Sequence, residues 1–348
     1  MDLPYLPRDP RNYRPPIALI GCGGIATNHL KAYRKAGYKV AALCDIDIEK
    51  AKERQQEFFP DAVVYEDWRD VMRRDDIEVV DVTTHPPVRP PIMEAALRAG
   101  KHVLSQKPFV LDLEVGRRLV ALADECGVKL AVNQNGRWAP HFSYMREAVR
   151  AGLLGVINAV HCSVHWDHSW VAGTEFEKVP HLILYDYGIH WFDIVHCLFA
   201  GRYPKRVYAS VARSPSQQVK PPLLAQAMIE FEDAQASLAF DADTKFGAQD
   251  RSFVAGTTGS ISSVGAGNKE QQLTLSTERG EFQPTLEGCW FPDGFHGTMG
   301  ELLCSIEDDR QPIHNAADNL ESLAICFAAV ASAERRQPVV PGTVTRLE

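Results

Sequence analysis

A glycine-rich hexapeptide, Gly21-Cys22-Gly23-Gly24-Ile25-Ala26, is the first stretch whose residue types could do chemistry. It follows a short apolar run at 17–20, opens a helical stretch, and is followed by Asp45 at the end of the next apolar run. In that context the pattern implies a dinucleotide site. Gly21 allows the tight turn, Gly23 leaves room for a pyrophosphate, and Ala26 lets the helix pack closely on its sheet. Gly24 and Ile25 complete a loop whose free N–H groups, at the positive end of the helix dipole, suit phosphates. Asp45 is placed to accept hydrogen bonds from an adenosine ribose. Its carboxylate would repel a 2′-phosphate and Ile46-Asp47 supplies no arginine to offset that, so NAD is expected rather than NADP. The bland alternatives are a glycine turn serving another ligand and Asp45 as a helix cap.

A second group lies farther along. The stretch His161-Cys162-Ser163-Val164-His165-Trp166-Asp167-His168-Ser169-Trp170 is rich in polar and aromatic side chains. Strand alternation puts His161 and His165 on one face. Rings beside hydrogen-bonding groups suit a sugar or cyclic polyol, whose C–H faces stack while its hydroxyls need partners. Arg137, Trp138, His165, Asp167, His168, Trp170 and His181 are candidates for such a pocket, Arg137 alternatively reading an anionic group. About half of these are expected to be core or interface residues. Asp186 and His190 are four apart, hence on one face if the segment is helical. His161, His165, His168, Asp186 and His190 could converge on a metal, but no recognised ligand motif is present and none is expected.

These residues need a scaffold. Over 15–132 short apolar runs alternate with helical stretches: strands at 17–20, 38–44, 62–65, 77–84, 101–104 and 128–132 separated by helices at 26–36, 48–58, 67–73, 91–99 and 113–126. Such alternation implies a parallel sheet with helices on both faces, a doubly wound Rossmann domain. From 133 onward the pattern changes. After a helix at 140–151, alternating segments appear at 156–165, 206–212, 225–232, 235–241 and 252–255, with a hairpin turn at 231–236. Two amphipathic helices, near 300–309 and 315–333, are expected to fold back onto the molecule. The expected organisation is an arm over 1–14, a Rossmann domain over 15–132 and an α+β domain over 133–348.

The 348 residues, 45% hydrophobic, are enough for two domains. A net charge of −8 argues against a nucleic-acid partner, since phosphate binding needs surplus Lys and Arg. No apolar run reaches the roughly 18 residues of a membrane helix, so no membrane partner is expected. The Pro-rich first 16 residues lack the apolar core of a signal peptide, which makes the cytoplasm the expected compartment. Eight scattered cysteines with no CxxC pair read as reduced core thiols.

Five separated segments resemble the Gfo/Idh/MocA oxidoreductases, the family of glucose–fructose oxidoreductase and inositol dehydrogenase. They are the Gly21–Ala26 loop, Ala99-Gly100-Lys101-His102-Val103, Lys107-Pro108, Gly136-Arg137-Trp138-Ala139-Pro140 and Asp186-Tyr187-Gly188-Ile189-His190-Trp191-Phe192-Asp193. The resemblance implies a second domain built on a large, mostly antiparallel open sheet, commonly pairing subunits into a dimer or tetramer. It also implies an NAD(P)-dependent enzyme acting on CH–OH groups of a sugar, sugar acid or cyclic polyol. Lys107, Asp186 and His190 match the family's catalytic set. Lys107 would hydrogen-bond the reacting oxygen and stabilise negative charge there. His190 would be the acid/base, with Asp186 orienting it or touching a substrate hydroxyl, and Asp193 would support the segment. Thr84, His85, Gln106 and Lys107 match positions bordering the cofactor. The chain departs from the family in having Gln106-Lys107-Pro108 for the usual Glu-Lys-Pro and His85-Pro86-Pro87 for the usual Pro-Asn. Competing readings are a lyase or glycosidase acting by transient oxidation with retained NAD, and a non-catalytic nucleotide and sugar sensor.

Overall fold

Short runs of aliphatic and β-branched residues suit strands buried on both faces, and six of them pair side by side. They are β1 (Ile17–Ile20), β2 (Val40–Cys44), β3 (Val63–Tyr65), β4 (Val79–Val82), β5 (His102–Gln106) and β6 (Leu130–Asn133). In the computed structural model, which describes residues 1–199, 201–266 and 271–347, they form one parallel sheet in the order β3-β2-β1-β4-β5-β6. The connecting helices are α1 (Ala26–Ala36), α2 (Ile48–Phe58), α3 (Trp68–Met72), α4 (Arg89–Arg98) and α5 (Leu113–Glu125). Asp47, Asp67 and Asp112 cap α2, α3 and α5, each accepting a backbone N–H two residues on. The strand order is that of a dinucleotide-binding sheet, with its switch point between β1 and β4.

The chain separates into two compact units. The parallel-sheet unit comprises Pro7–Trp138 and Phe291–Leu320; the mixed-sheet unit comprises Met1–Leu6, Ala139–Trp290 and Glu321–Glu348. In the first, α8 (Asp293–Glu307) packs on α1 and β6, and Lys35 pairs with Asp293 at 2.6 Å. This helix begins seven residues before the expected 300. Three glycines among its first eight residues hide its periodicity, and packing rather than propensity holds that part in a helix.

The mixed-sheet unit carries eight strands in the order β14-β13-β12-β11-β7-β10-β9-β8. They are β7 (Ile157–His165), β8 (Arg206–Ala212), β9 (Leu224–Glu230), β10 (Gln235–Asp241), β11 (Gln249–Gly256), β12 (Gly259–Gly265), β13 (Gln271–Thr277) and β14 (Gly280–Phe282). Only β7 and β10 run parallel; the other pairs are antiparallel. Both halves of the expected fold class are therefore present. The last three strands went unread in the sequence because Ser, Gly and Gln dominate them. The helices of this unit are α6 (Pro140–Arg150), α7 (Ile189–Phe199) and the length of α9 (Ala316–Arg335) from Glu321 onward, and α7 packs on β7. Residues on the other face of the sheet, including Tyr208, Met228, Phe253 and Val264, are exposed. Among the described residues α9 alone has the length and hydropathy of a membrane span, and 78% of that window is buried in the protein.

Candidate active site

At the C-terminal edge of the parallel sheet, successive strand ends present the glycine loop, Asp45, Thr84 and Lys107. Gly21 follows β1 with φ +103°, and a Cβ there would lie 2.9 Å from the Thr84 backbone nitrogen, so both its conformation and its space require glycine. No heavy atom lies within 4 Å of where a Cβ on Gly23 or Gly24 would stand, which leaves the loop open above its N–H groups. Asp45, at the end of β2, accepts the Cys22 N–H at 2.6 Å and the Asp47 N–H at 2.9 Å. Its carboxylate is thereby fixed to the glycine loop itself and does not cap α2, which Asp47 does.

Thr84 and His85 follow β4. The Thr84 hydroxyl is buried with no partner in the protein, and both amide atoms of Gln134, just past β6, are in the same state. Buried polar atoms are ordinarily satisfied, so these point to a ligand or bound water at this edge. An open glycine cradle, a fixed acidic residue one strand away and unpartnered polar groups beyond the switch point fit a dinucleotide.

Lys107 directly follows β5, and the peptide joining it to Pro108 is cis. Two groups hold the backbone around it, Arg89, which the sequence did not single out, and Gln106, which was expected at the cofactor. The buried Arg89 guanidinium donates to the carbonyls of Thr84, Gln106 and Pro108, tying together the loops after β4 and β5. The Gln106 side chain turns into the interior rather than toward the open edge, where its place beside the cofactor was expected. Its Oε1 accepts from the Lys107 N–H at 2.7 Å and from Asn133 Nδ2 at 3.2 Å.

Behind Gln106 runs a buried polar chain. Tyr33 donates its hydroxyl to Asp81 at 2.6 Å, and His29 Nδ1 meets the same carboxylate at 2.7 Å. A proton on Nδ1 leaves Nε2 to accept from Asn133 Nδ2 at 3.1 Å. Asn133 Oδ1 in turn accepts from Thr298 at 2.8 Å. An amide at 106 matches this pattern, because Gln106 Nε2 lies 3.3 Å from His29 Nε2. The signals were present in the sequence: Asp81 interrupts an apolar strand, and His29 lies on the buried side of α1.

Arg137 and Trp138 also belong to this unit. Arg137 pairs with Asp318 at 2.5 Å and donates to the Ile313 carbonyl at 2.5 Å, with its side chain almost wholly buried. That engagement explains the residue without a substrate anion. Trp138 is buried against His314, ring centroids 5.0 Å apart.

In the mixed-sheet unit, Asp186 lies in a π-helical turn, Ile183–Tyr187, and His190 in the first turn of α7. Gly188 joins the two; a Cβ on it would stand 2.8 Å from the carbonyls of Ile183 and Leu184. The segment is thus a tight junction between two kinds of turn rather than one regular helix. His190 is 7% exposed, with its ring 5.4 Å from that of Trp290. Asp193 is buried and accepts from Ser322 at 3.1 Å.

The stretch 161–170 divides. His161 and His165 are on the open face of the sheet, as strand alternation implied. There they meet Ser237 and Asp241, each at 2.7 Å. Val164 and Cys162 point to the opposite, helix-covered face, so the sheet separates His165 from α7 and His190. Asp167 is exposed and accepts from the Ser169 N–H, and a hydrogen bond from the Ser169 side chain is the main reason its carboxyl lies below the usual range. His168 is buried between Tyr187 and Trp170, and Trp170 Nε1 donates to it at 3.2 Å. Trp170 itself is largely exposed. His181 pairs with Glu334 at 3.0 Å. Trp166, Tyr187 and Trp290, absent from the expected set, gather instead around Trp191 and His190. Among the described residues no cluster of His, Cys, Asp and Glu could hold a metal ion.

Known proteins share both units. Residues 16–134 match the oxidoreductase family with an NAD-binding Rossmann fold, and residues 142–262 match the Gfo/Idh/MocA C-terminal domain. D-apiose dehydrogenase of Paraburkholderia graminis is 34% identical over 184 residues, 52% of this chain and 49% of that protein. Inositol 2-dehydrogenase of Burkholderia multivorans is 27% identical over 213 residues, 59% of this chain and 61% of that protein. The matched stretches thus span about half to three fifths of these relatives' length. An oxidoreductase from Agrobacterium radiobacter, solved with NAD+, L-tartaric acid and magnesium, superposes with a TM-score of 0.84 at 21% identity, over 94% of this chain and 99% of that one. With two family descriptions matched in succession along one chain, and both sheets as that family requires, the chain belongs to the Gfo/Idh/MocA oxidoreductase family.

Proposed function

We propose that this protein is an NAD-dependent dehydrogenase that oxidises a secondary hydroxyl of a sugar, sugar acid or cyclic polyol. The observation that carries the reading is Lys107 at the end of β5, its backbone held by Gln106 and Arg89, in a unit of the NAD-binding Rossmann description. Bound NAD supplies the hydride acceptor. The chain's own residues do the rest. The glycine loop binds the pyrophosphate, and Asp45 accepts from the ribose hydroxyls and disfavours a 2′-phosphate. Lys107 hydrogen-bonds the reacting oxygen and stabilises negative charge there, and His190 takes the hydroxyl proton with Asp186 orienting it. The names of the D-apiose and inositol dehydrogenases support a neutral sugar or cyclitol over other alcohols. In this reading residues 133–348 serve substrate binding and oligomerisation, the open sheet face pairing subunits into a dimer or tetramer, and the protein acts in the cytoplasm.

A screen of aldoses, inositols and sugar acids by NADH fluorescence, repeated with NADP, tests this directly. Oxidation of at least one compound with NAD preferred is the expected result. Lys107→Met should lower kcat at least about 100-fold while leaving NAD affinity within a few-fold. Unchanged turnover in that variant would sink the mechanism.

A further inference from the structure

The buried polar chain behind Gln106 has one consistent sense of donors and acceptors, and that sense is set from Lys107. A backbone N–H can only donate, so the Gln106 atom 2.7 Å from the Lys107 nitrogen is its Oε1. The other end of the amide, Nε2, therefore faces His29 Nε2 at 3.3 Å. Asn133 presents Nδ2 to the same Oε1 at 3.2 Å, which also sets that Nδ2 3.1 Å from His29 Nε2 and leaves Oδ1 for the Thr298 hydroxyl. Two amide donors thus face one ring nitrogen, which accepts only when it carries no proton. The proton of His29 then sits on Nδ1, 2.7 Å from Asp81 Oδ2, which accepts from Tyr33 as well.

Burial makes this sense binding. His29, Asp81, Asn133 and Thr298 are wholly buried and Gln106 is 4% exposed, so a mismatched group cannot turn to water instead. A carboxylate at 81 only accepts, and it admits a single His29 tautomer. That tautomer needs a donor on the near end of residue 106, which an amide supplies and a carboxylate lacks. Asp81 lies in β4 and Gln106 ends the neighbouring β5. Between them, the two positions accommodate one carboxylate. A glutamate at 106 would set an oxygen against the bare Nε2. It would fit only if residue 81 could donate to Nδ1 and let the ring proton move to Nε2. Asparagine at 81 can do so, because Asp81 Oδ1 has no partner and either end of the side chain can face His29.

We propose that Asp81 and His29 are positioning residues for Lys107, acting through Gln106. Asp81 fixes the His29 tautomer, the tautomer fixes the Gln106 amide, and the amide holds the Lys107 N–H. Residues 81 and 106 form a pair in which one member alone carries the charge. Arg89 secures the carbonyls of Gln106 and Pro108 on either side, so the chain supplies the remaining hold on the Lys107 backbone. Why Lys107 must be held rests on the dehydrogenase reading, in which its ammonium meets the reacting oxygen.

Two measurements on the full-length protein test this without turnover. Nitrogen-15 NMR of the imidazoles at pH 7, with His29 assigned from its absence in His29→Gln, should show a neutral ring with hydrogen on Nδ1. A His29 protonated on Nε2, or on both nitrogens, overturns the proposal. Hydrogen exchange at the residue 107 amide, normalised to the amides of β1, reads position apart from overall stability. Gln106→Leu and Gln106→Glu should each speed it at least about tenfold. Adding Asp81→Asn to Gln106→Glu should return it to within about threefold of the wild type, while adding it to Gln106→Leu should restore nothing. Wild-type exchange in Gln106→Glu, or no rescue by Asp81→Asn, overturns the coupling. If Gln106→Glu does not fold, folding of the double variant is the rescue, and a double variant that also fails to fold counts against the proposal. An inactive protein in the NADH screen would remove the dehydrogenase reading and leave the chain standing. Independent effects at 81 and 106 would remove the chain and leave Lys107→Met to test that reading.

Discussion

At the scale of single residues, much of the proposed chemistry depends on side chains that make no claim to chemistry themselves. Arg89 donates to four carbonyls around Lys107, those of Thr84, Gln106, Pro108 and Phe109, a task that needs the several N–H groups of a guanidinium. Arg89→Leu should lower stability by about 3 kcal/mol, since it leaves buried carbonyls unpaired. Urea denaturation would measure that loss, and a value under about 1 kcal/mol would show that the clamp is unimportant. His314 offers a pH-dependent test. Burial holds it down to about 3, against the ordinary 6.5, and neither ring nitrogen makes a well-formed hydrogen bond. The unfolded chain takes up this proton near 6.5, whereas the fold resists it. The contribution is therefore complete above pH 6.5 and is lost as pH falls toward 3. Between pH 7 and pH 4 that loss is roughly 3 kcal/mol, and His314→Phe should remove most of it. Equal acid sensitivity in the two proteins would contradict the assignment. Asp250 has the opposite sign: burial makes the fold hold its proton up to about pH 7, so its share of stability declines as pH rises from about 4 toward about 7.

At the scale of elements, junctions rather than regular structure position the site. The β1–α1 turn needs Gly21 twice over, for its φ of +103° and for the 2.9 Å between a Cβ and Thr84 N. Gly21→Val should abolish measurable NAD binding in a fluorescence titration and also destabilise the unit by about 1–3 kcal/mol. A variant that binds NAD normally would show that the loop can rearrange. The π turn at Ile183–Tyr187 does similar work for Asp186, with Gly188 closing it against two carbonyls. Periodicity alone could not reveal that turn. An extra residue per turn changes where side chains point but leaves the apolar pattern nearly intact.

At the scale of the whole molecule, the open face of the mixed sheet is the feature with a testable consequence. Tyr208, Met228, Phe253 and Val264 leave it apolar and exposed at several points. Exposed apolar residues spread over one sheet face suit an interaction surface, and the proposed partner is another copy of the chain. Met228→Asp combined with Phe253→Asp should convert the assembly to monomers in light scattering. A wild-type protein that is itself monomeric would remove this part of the reading. His161 and His165 are on that same face, paired with Ser237 and Asp241, and under this proposal they serve subunit pairing.

By itself the sequence determined the parallel sheet, its glycine turn, the acidic residue after β2 and the identity of the lysine after β5. Each of these is a local pattern: an apolar run, a turn residue, a strand end. The resemblance to a family was legible for the same reason, through short motifs in fixed order. Only the tertiary structure decided the rest. It turned Gln106 inward, engaged Arg137 with Asp318, and brought Arg89 onto carbonyls 5 to 20 residues away. It also revealed β12 to β14, whose many Ser, Gly, Gln and Thr residues leave little apolar pattern to read, and gathered Trp166, Tyr187 and Asp250 from three separate elements. Long-range partners and burial settle which polar residue faces a ligand and which merely completes the interior, and neither is written in local spacing.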